Sequence, residues 1–435
     1  MNEDGKGIIR IKGQEVCVSN LIEGETATVE VIQSKKFTSM NMLRIEGKSK
    51  DRVVPKCPYF LECGGCQLQH LSYEGQIAFK HKTVVKLMGH RCKVNDVLQM
   101  KEPYYYRNKV HSTLACDKNN KIISGIYKEY THEVISIDRC MIQDEKADEI
   151  IESIRGIMKT CKQKPYEEDT GKGFIRHILI KRGFASKQIM VVLVVASNVF
   201  PGKNNFIAAL LKKHPEITTI VMNVNNSKTS VVLGSVEKAL YGKGYIEDTL
   251  CDCVFQISPK SFYQINPTQT EVLYKKAIDM ADLSGKETIL DAYCGIGTIS
   301  LIASKKAKKV IGVELNKEAV RDAIKNAKLN KISNTFFYNN DAGNFMVGLA
   351  EEKQCVDVVF MDPPRSGSDE KFLSALIKLS PKKVVYISCN PITQERDLEY
   401  LTKHGYVVKE IQPVDMFPQT AHVECVAMMY LKEKR

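Results

Sequence analysis

The sequence predicts a multi-domain α/β protein whose carboxyl-terminal part is a doubly wound parallel sheet. Its 435 residues exceed one ordinary hydrophobic core, so two or three domains are expected. From residue 263 onward, strand-like apolar runs alternate regularly with helical stretches, which is typical of a parallel sheet covered by helices. Residues 1–48 instead alternate apolar and polar positions, and residues 49–262 mix strands with helices.

Three regions follow from these patterns. We expect a small β-barrel over 1–48, a central α+β domain over 49–262 and the doubly wound domain over 263–435. In the central region the expected strands are Ile123–Tyr127, Glu133–Ile137, Phe174–Lys181, Ile189–Ala196, Ile217–Val224 and Ser230–Leu233, and the expected helices are Leu71–Leu87, Glu145–Lys159 and Asn204–Lys213. In the last region the expected strands are Thr288–Tyr293, Val310–Glu314, Thr335–Tyr338, Val356–Met361 and Lys383–Ser388, with helices at Lys317–Leu329 and Lys371–Leu379.

Composition narrows the class of protein. The formal net charge of +12 favours a polyanionic partner such as nucleic acid, although a solvated basic face is also common. No apolar stretch is long enough for a membrane helix, and the first residues lack the apolar core of a secretion signal. We therefore expect a cytoplasmic protein without a membrane partner.

A glycine-rich turn follows the first strand of the last region. The run Asp291-Ala-Tyr-Cys-Gly295-Ile-Gly297 places two glycines where a strand hands over to a helix, so the backbone can approach a nucleotide closely. A dinucleotide fold favours a third glycine where this chain has Ser300, which weakens the case for NAD or FAD. Glu314 ends the next strand, where a carboxylate can accept both ribose hydroxyls of an adenosine. The alternative is a plain strand-to-helix connection.

Two further acids end the following strands. Asp341 ends the third strand and is placed to serve the adenine side, and Asp362 begins the run Asp-Pro-Pro-Arg365 at the end of the fourth. The loop at Asp291 with an acid on the second strand resembles the S-adenosylmethionine site of class I methyltransferases. The acid-Pro-Pro run resembles the sequence by which many base-modifying methyltransferases hold a nucleobase or a cofactor amine.

A cysteine and a glutamate complete a possible reaction centre. Cys389 follows the fifth strand in Ile-Ser-Cys-Asn-Pro, and Glu424 enters the last apolar run, where active groups of open α/β sheets gather. A thiolate that adds to carbon 6 of uracil makes carbon 5 nucleophilic, and a base must then remove the carbon 5 proton. The alternatives are a buried cysteine and a surface glutamate at a strand end.

Four cysteines form a candidate metal-ligand set. Cys57, Cys63 and Cys66 are compact and separated by Gly-Gly, and Cys140 follows a predicted strand. Paired Cys-x2-Cys knuckles, which would favour zinc, are absent, so thiolate-only ligation favours a 4Fe-4S cluster. Cys92 and Cys116 are rival fourth ligands.

Together, the four cysteines, Phe-Tyr-Gln264-Ile-Asn, the glycine-rich loop, Asp-Pro-Pro-Arg, Ser-Cys389-Asn-Pro and His-Val-Glu424 resemble the RNA 5-methyluridine methyltransferases. Within that family the chain looks similar to bacterial iron–sulfur enzymes that methylate carbon 5 of uracil in 23S ribosomal RNA. The resemblance implies that Cys389 is the nucleophile and Glu424 the base. It also implies S-adenosylmethionine contacts at Gln264, Tyr293, Thr298, Glu314, Asp341 and Asp362.

The resemblance also implies a partner and an amino-terminal module. We expect a monomer acting on 23S ribosomal RNA, with transfer RNA as the alternative substrate and a non-catalytic RNA-binding module as the alternative class. The family's usual amino-terminal module is a TRAM barrel, which binds RNA. Met1–Ile8 would begin after the position of its first strand, so we expect a truncated barrel or a chain start placed too late.

Aromatic and basic residues mark the expected RNA path. A target base must leave its stack, and such bases are held by aromatic rings beside cations. The side chains that fit this description are Tyr104, Tyr105, Tyr106, Arg107, Phe262, Arg176, His177, Lys181 and Arg182, and we expect Arg107 and Lys109 to touch phosphates.

Overall fold

The computed structural model describes residues 1–11, 13–33, 38–128, 131, 133–227 and 231–432. The first region forms two antiparallel hairpins, made by β1 (Gly7–Ile11) with β2 (Gln14–Val18) and by β3 (Thr26–Gln33) with β4 (Thr38–Gly47). Within the described residues the two hairpins share no strand pairing, so a closed barrel over 1–48 stays a prediction. Val18 and Leu21 are the buried residues of their small common core.

The central region forms a seven-stranded sheet covered by two helices on one face. Its strand order is β11-β10-β9-β8-β5-β6-β7. Its elements are α1 (Phe60–Cys63), α2 (Tyr73–Met88), β5 (Lys109–Cys116), β6 (Ile122–Tyr127), β7 (Val134–Ser136), α3 (Glu145–Thr160), β8 (Ile175–Arg182), β9 (Ile189–Val195), α4 (Lys203–Lys213), β10 (Ile217–Val224) and β11 (Val236–Tyr241), followed by the hairpin of β12 (Ile246–Leu250) and β13 (Cys253–Ile257).

Most expected elements of this region are confirmed. The three helices lie within about two residues of the expected bounds, which is the ordinary uncertainty of helix ends. The expected strand Ser230–Leu233 is wrong where it can be checked. Residue 230 lies outside the described residues and residues 231–233 form no strand, because the chain pairs only from Val236 onward.

The last region forms a second seven-stranded sheet with strand order β16-β15-β14-β17-β18-β20-β19. Its elements are α5 (Pro267–Ala281), β14 (Thr288–Asp291), α6 (Thr298–Ser304), β15 (Lys309–Glu314), α7 (Lys317–Leu329), β16 (Thr335–Asn339), α8 (Ala342–Glu351), β17 (Val358–Met361), α9 (Glu370–Leu379), β18 (Lys383–Ser388), α10 (Pro391–Lys403), β19 (Tyr406–Val414) and β20 (Glu424–Leu431).

This sheet corrects the expectation of a wholly parallel one. Five strands are parallel, but β20 runs antiparallel to both of its neighbours. A hairpin-like return from β19 inserts β20 beside β18, so the start of β20 lies at the same edge of the sheet as the end of β18. That arrangement brings Glu424 and Cys389 to one edge.

Packing runs across the region boundaries. Val84 and Met88 of α2 belong to the same hydrophobic core as β18, β19 and α10. Lys80, on the same helix, forms a fully buried ion pair with Asp415 in the loop after β19. Helix α2 therefore stabilises the carboxyl-terminal sheet. Among the described residues, no helix combines the length and apolarity that a bilayer crossing requires.

Candidate active site

The candidate site lies at the carboxyl ends of the parallel strands. Asp291 ends β14, Glu314 ends β15 and Asp362 directly follows β17. Strand order reverses between β14 and β17, and open α/β sheets bind ligands at such a switch point. The sheet therefore collects these acids at the edge where a crevice forms.

A cavity of about 400 Å³ opens at this edge. Tyr293, Glu314, Asp341 and Phe372 are among its lining residues. This size and mixed polarity fit a nucleoside-sized ligand. Three of the six residues expected to contact S-adenosylmethionine thus share one cavity.

The conformation of the glycine-rich turn brings a backbone N–H group close to the carboxylate of Glu314. Gly295 and Gly297 have φ of +53° and +86°, which favours glycine. A Cβ at Gly297 would lie 2.9 Å from Cζ of Phe337. The Gly295 N–H donates to Glu314 Oε2 at 3.1 Å, and the Asn316 N–H donates to Oε1 at 2.7 Å. These bonds fix the carboxylate toward the cavity.

Tyr293 and Asp341 are held on either side of this cavity. The Tyr293 ring lies 5.1 Å from the ring of Phe372, and its hydroxyl lies 3.3 Å from Ser368 Oγ. Asp341 caps α8 by accepting from the Asn344 N–H at 2.9 Å. A carboxylate at a helix start is also favoured by the helix dipole.

Of the other three expected contacts, Gln264 and Thr298 both lie beside Tyr274. Both side chains hydrogen-bond the Tyr274 hydroxyl, while burial and then the charge of Asp362 raise the pKa of that phenol. Asp291 is fully buried beneath them and accepts from Ser300 Oγ at 2.6 Å. Burial raises the pKa of Asp291 to about 6.

The second part of the site is the Cys389 thiol, which lies near the carboxyl groups of Glu424 and Asp362. Cys389 directly follows β18 and is partly exposed. Burial, and then the charges of Glu424 and Asp362, raise the pKa of the Cys389 thiol to about 11. Glu424 is 3% exposed, and burial, followed by the charge of Asp362, holds its pKa well above the usual range. Burial and the charge of Asp291 raise the pKa of Asp362 to about 7.

Arg365 is a candidate site residue that the sequence analysis did not assign. Its guanidinium lies near enough to Cys389 and Glu424 to lower the pKa values of both. The sequence did contain a signal, because Arg365 follows directly on Asp-Pro-Pro. The sequence did not reveal how the loop that carries Arg365 folds toward Cys389. In the structure the Arg365 carbonyl accepts a hydrogen bond from Asn390 Nδ2 at 3.0 Å.

The four cysteines expected to hold a cluster lie near enough to one another for their charges to interact. Burial is the largest cause that raises the pKa of Cys66, to about 12, and the charges of Cys140, Cys63 and Cys57 add to it. The Cys140 N–H donates to Asp148 Oδ2 at 2.8 Å. Within the described ranges, no three His, Cys, Asp or Glu side chains are close enough to hold a single metal ion. A cluster several atoms wide separates its thiolates more than one ion does.

Several side chains expected on the RNA path are instead structural. Tyr106 is 2% exposed, and its hydroxyl donates to the Pro418 carbonyl at 3.0 Å. Lys181 is buried and donates to the carbonyls of Ser258 and Ser261. Arg176 and His177 are buried as well, because β8 lies in the middle of its sheet. These expectations are wrong.

Other aromatic side chains of the expected path remain accessible. The Phe262 side chain is 67% exposed, and Tyr105, in the middle of the tyrosine run, is exposed as well. Tyr104 lies under Lys56, whose Nζ is 4.7 Å from the ring centroid. Accessible rings of the expected path therefore remain in the central region.

The chain was compared with known protein families and proteins. The family model described as tRNA (Uracil-5-)-methyltransferase matches residues 72–433. An uncharacterized RNA methyltransferase of Listeria monocytogenes serotype 4b is 43% identical over 99% of this chain and 96% of its own length. One of Bacillus cereus strain ATCC 10987 is 41% identical over 100% of this chain and 95% of its own length.

A solved structure matches almost the whole molecule. It is the Pyrococcus abyssi tRNA (uracil-54, C5)-methyltransferase in complex with S-adenosyl-L-homocysteine. The two chains share 28% identity with a TM-score of 0.81, over 99% of this chain and 98% of the other. The likeness therefore covers the amino-terminal hairpins, the central sheet and the carboxyl-terminal sheet together.

Proposed function

Because this chain belongs to the tRNA (uracil-5-)-methyltransferase family and is an RNA methyltransferase, we propose that it methylates carbon 5 of a specific uridine in 23S ribosomal RNA through a covalent Cys389–uracil intermediate. The methyl donor is S-adenosylmethionine, and we propose a monomer as the working unit. The observation that carries the proposal is the meeting of a partly exposed thiol with Glu424, Asp362 and Arg365 beside the cavity that contains Glu314.

The proposed chemistry uses Cys389 as the nucleophile and Glu424 as the base. The Cys389 thiolate adds to carbon 6 of the uracil, and the electron pair of the C5=C6 bond makes carbon 5 nucleophilic. S-Adenosylmethionine supplies the methyl group to carbon 5 and leaves as S-adenosylhomocysteine. The Glu424 carboxylate then takes the carbon 5 proton, the C5=C6 bond re-forms, and the thiolate leaves carbon 6. Its raised pKa makes Glu424 a stronger base than an exposed glutamate.

We propose six donor contacts, three of which line the cavity. Glu314 accepts the ribose hydroxyls, because both of its oxygens are aimed by backbone N–H groups. Asp341 and Tyr293 line the same cavity, and we propose that they hold the adenine. The remaining proposed contacts are Gln264 and Thr298, which lie beside Tyr274, and Asp362, which lies near Cys389.

A 4Fe-4S cluster on Cys57, Cys63, Cys66 and Cys140 belongs to the proposal. The thiols fit such a group, since Cys66 and Cys140 are partly buried. Burial is the largest cause that raises the pKa of each, and the charges of other cysteines of the set add to it. Four thiolates supply the ligands that iron–sulfur clusters require. Gly64, with φ of +68°, bends the chain between two of them.

We propose a separate role for each of the three expected regions. The hairpins of 1–48 would serve as a TRAM-like RNA-binding module, 49–262 would carry the cluster and further RNA contacts, and 263–435 would carry the chemistry. Support comes from the exposed Phe262 and Tyr105 rings of the central region and from the net charge of +12.

Replacing both Arg107 and Lys109 with alanine is expected to flatten the salt dependence of RNA binding. Each lost phosphate contact reduces the slope of log K against log salt by roughly 0.7 for single-stranded RNA. The charge of Arg107, acting after burial, lowers the pKa of Lys109, so the two cations lie close together and a phosphate would stabilise both. Filter binding at several salt concentrations measures the slope. Alanine at the exposed residues Lys212 and Lys213 removes the same charge as a control, and equal slopes in the two double variants would contradict the assignment.

Replacing Arg365 with leucine is expected to slow attack by Cys389 most strongly at neutral pH. The guanidinium lowers a thiol pKa that stands at about 11, so its loss raises that pKa further and leaves less thiolate. Each unit of pKa costs about tenfold in thiolate below the pKa, and the rate recovers as pH rises. Adduct formation with saturating 5-fluorouridine RNA from about pH 7 to about pH 9 measures this. Arg365→Lys keeps the charge as the control. A leucine variant with the unaltered profile would remove Arg365 from this role.

Mapping 5-methyluridine decides the substrate. Cells that lack this protein should lose the modification at one position of 23S ribosomal RNA and keep it in transfer RNA. The second candidate, transfer RNA, is favoured by the match to a tRNA (uracil-54, C5)-methyltransferase over 99% of the chain. Loss confined to transfer RNA would replace the proposed substrate. Unaltered 5-methyluridine in both would reject the function.

A further inference from the structure

The loop between β19 and β20, residues 415–423, is unusually buried for a connecting segment. Asp415, Gln419, Thr420 and Val423 are each at most 4% exposed. A buried loop must pair its backbone groups with other parts of the protein. The residue after this loop is Glu424, so the loop's position determines where the proposed base enters the site.

Gln419 is the centre of these contacts. Its backbone has φ of +71°, an uncommon conformation for a side chain of this size. Its carbonyl accepts from the N–H groups of Gln67 at 3.1 Å and Leu68 at 3.0 Å. Its own N–H donates to Gln76 Oε1 at 2.9 Å, and its Oε1 accepts from Gln76 Nε2 at 3.0 Å. A strained, buried conformation of this kind persists only where the surroundings over-determine it.

Gln67 makes a second contact on the other side of Thr420. Its Oε1 accepts from the Ala421 N–H at 3.3 Å, while its Nε2 donates to the Gly64 carbonyl at 2.8 Å. Gln67 therefore joins the cysteine-bearing turn to two points of the loop, at Gln419 and at Ala421. The nearer point lies three residues before Glu424.

We propose that Gln67 and Gln419 are positioning residues that aim Glu424 at the carbon 5 proton of the covalent intermediate, so that the turn carrying Cys63 and Cys66 supports the base. The inference rests on the proposed function and deepens it. The Glu424 backbone is paired with Val414 at the other end of the loop, so a shift of the loop acts on a carboxylate already fixed on one side.

The chemistry supplies a readout that separates aiming from general stability. Addition of the Cys389 sulfur to carbon 6 and transfer of the methyl group do not use Glu424. Removal of the carbon 5 proton does, and the carbon–sulfur bond breaks only with that step. A misaimed base therefore leaves the methylated RNA joined to Cys389, whereas a weakened fold slows every step together.

The test uses Gln67→Ala and Gln419→Gly in the full-length protein. Alanine removes the acceptor for Ala421, and glycine removes the Gln419 side chain without adding strain at positive φ. Gln163→Ala is the matched control, because Gln163 is a buried glutamine in the central region whose Nε2 donates to the Pro201 carbonyl at 2.7 Å. Glu424→Gln provides the reference for a lost base.

Three quantities are measured for each variant. They are the rate of adduct formation with 5-fluorouridine RNA, the single-turnover transfer of labelled methyl to uridine RNA, and the steady-state fraction of protein in a denaturant-stable, methylated RNA adduct. We expect the first two to stay within about twofold of the unaltered protein. We expect the third to rise about tenfold or more, since a misplacement on the order of 1 Å costs about a hundredfold in a catalytic step.

Each outcome decides the inference. Accumulation of adduct in both variants and in Glu424→Gln, but not in Gln163→Ala, supports it. A uniform slowing of all steps, or unaltered partitioning, overturns it while leaving the proposed function intact. Failure of the unaltered protein to form any adduct with 5-fluorouridine RNA rejects the proposed function itself, and the inference with it.

Discussion

Replacing Cys389 with alanine is expected to reduce 5-methyluridine formation by on the order of 10⁴-fold or more, because residues that act as one catalytic unit lose nearly all of their effect when the nucleophile is removed. The thiol is partly exposed and lies beside Glu424, Asp362 and Arg365, which is the setting of a reacting group. Methyl transfer from labelled donor to RNA measures the loss.

The same variant should form no adduct with 5-fluorouridine RNA. Fluorine at carbon 5 cannot be removed as a proton, so the unaltered enzyme stops with the ring still joined to sulfur. Cys355→Ala removes an exposed cysteine and serves as the control. An adduct in Cys389→Ala would show that another residue is the nucleophile.

Glu424→Gln is expected to fail later in the reaction. Loss of a general base costs about 10²- to 10⁴-fold. The methylated RNA should stay attached to Cys389, because sulfur leaves only when the carbon 5 proton is removed. A variant that turns over normally, without adduct, would assign the base to another group.

Replacing Lys80 with methionine is expected to destabilise the protein by about 3–5 kcal/mol, the usual cost of leaving a buried charge without its partner. Lys80 and Asp415 have side chains that are 0% exposed. Lys80 Nζ also donates to the Phe417 carbonyl at 3.0 Å, and the Tyr73 hydroxyl donates to Asp415 Oδ2 at 2.7 Å. Unfolding in urea, followed by circular dichroism, measures the change.

An exposed lysine on the same helix α2, Lys82, provides the control for this prediction. Lys82 lies two residues away, is 68% exposed and pairs with Glu23 at the surface. Lys82→Met should cost about 0–1 kcal/mol, as surface ion pairs do. The double variant Lys80→Met with Asp415→Asn should recover part of the loss, because no uncompensated charge stays buried. Equal stabilities for the two lysine variants would contradict the role of the buried pair.

Local patterns of the chain were sufficient to identify most of the parallel sheet. The strands that end at Asp291, Glu314 and Met361 are short apolar runs bounded by turn residues, and they are confirmed at or near the expected bounds. The helix over Lys317–Leu329 is confirmed as well. Such signals lie within one element and do not depend on what packs against it.

Elements whose pattern depends on a distant partner were missed or misread. Strands β12 and β13 and the antiparallel position of β20 depend on pairing between segments. The sequence predicts that Tyr106, beside Arg107, faces RNA. In the structure Tyr106 is buried, because the loop after β19 supplies a carbonyl that accepts a hydrogen bond from its hydroxyl. Whether a polar aromatic residue is buried depends on its neighbours in space, and the spacing of residues along the sequence does not reveal those neighbours.

The amino-acid sequence by itself determined the class of the carboxyl-terminal sheet, the glycine-rich turn with its acid at Glu314, and the candidates Cys389 and Glu424, because each depends on residues close together in the chain. Only the tertiary structure decided that Arg365 lies near the Cys389 thiol and that Gln67 reaches Gln419 and Ala421. Arg365 and Cys389 meet because they follow two neighbouring parallel strands, β17 and β18. The loop that carries Gln419 and Ala421 reaches the same edge because antiparallel β20 returns the end of the chain to it.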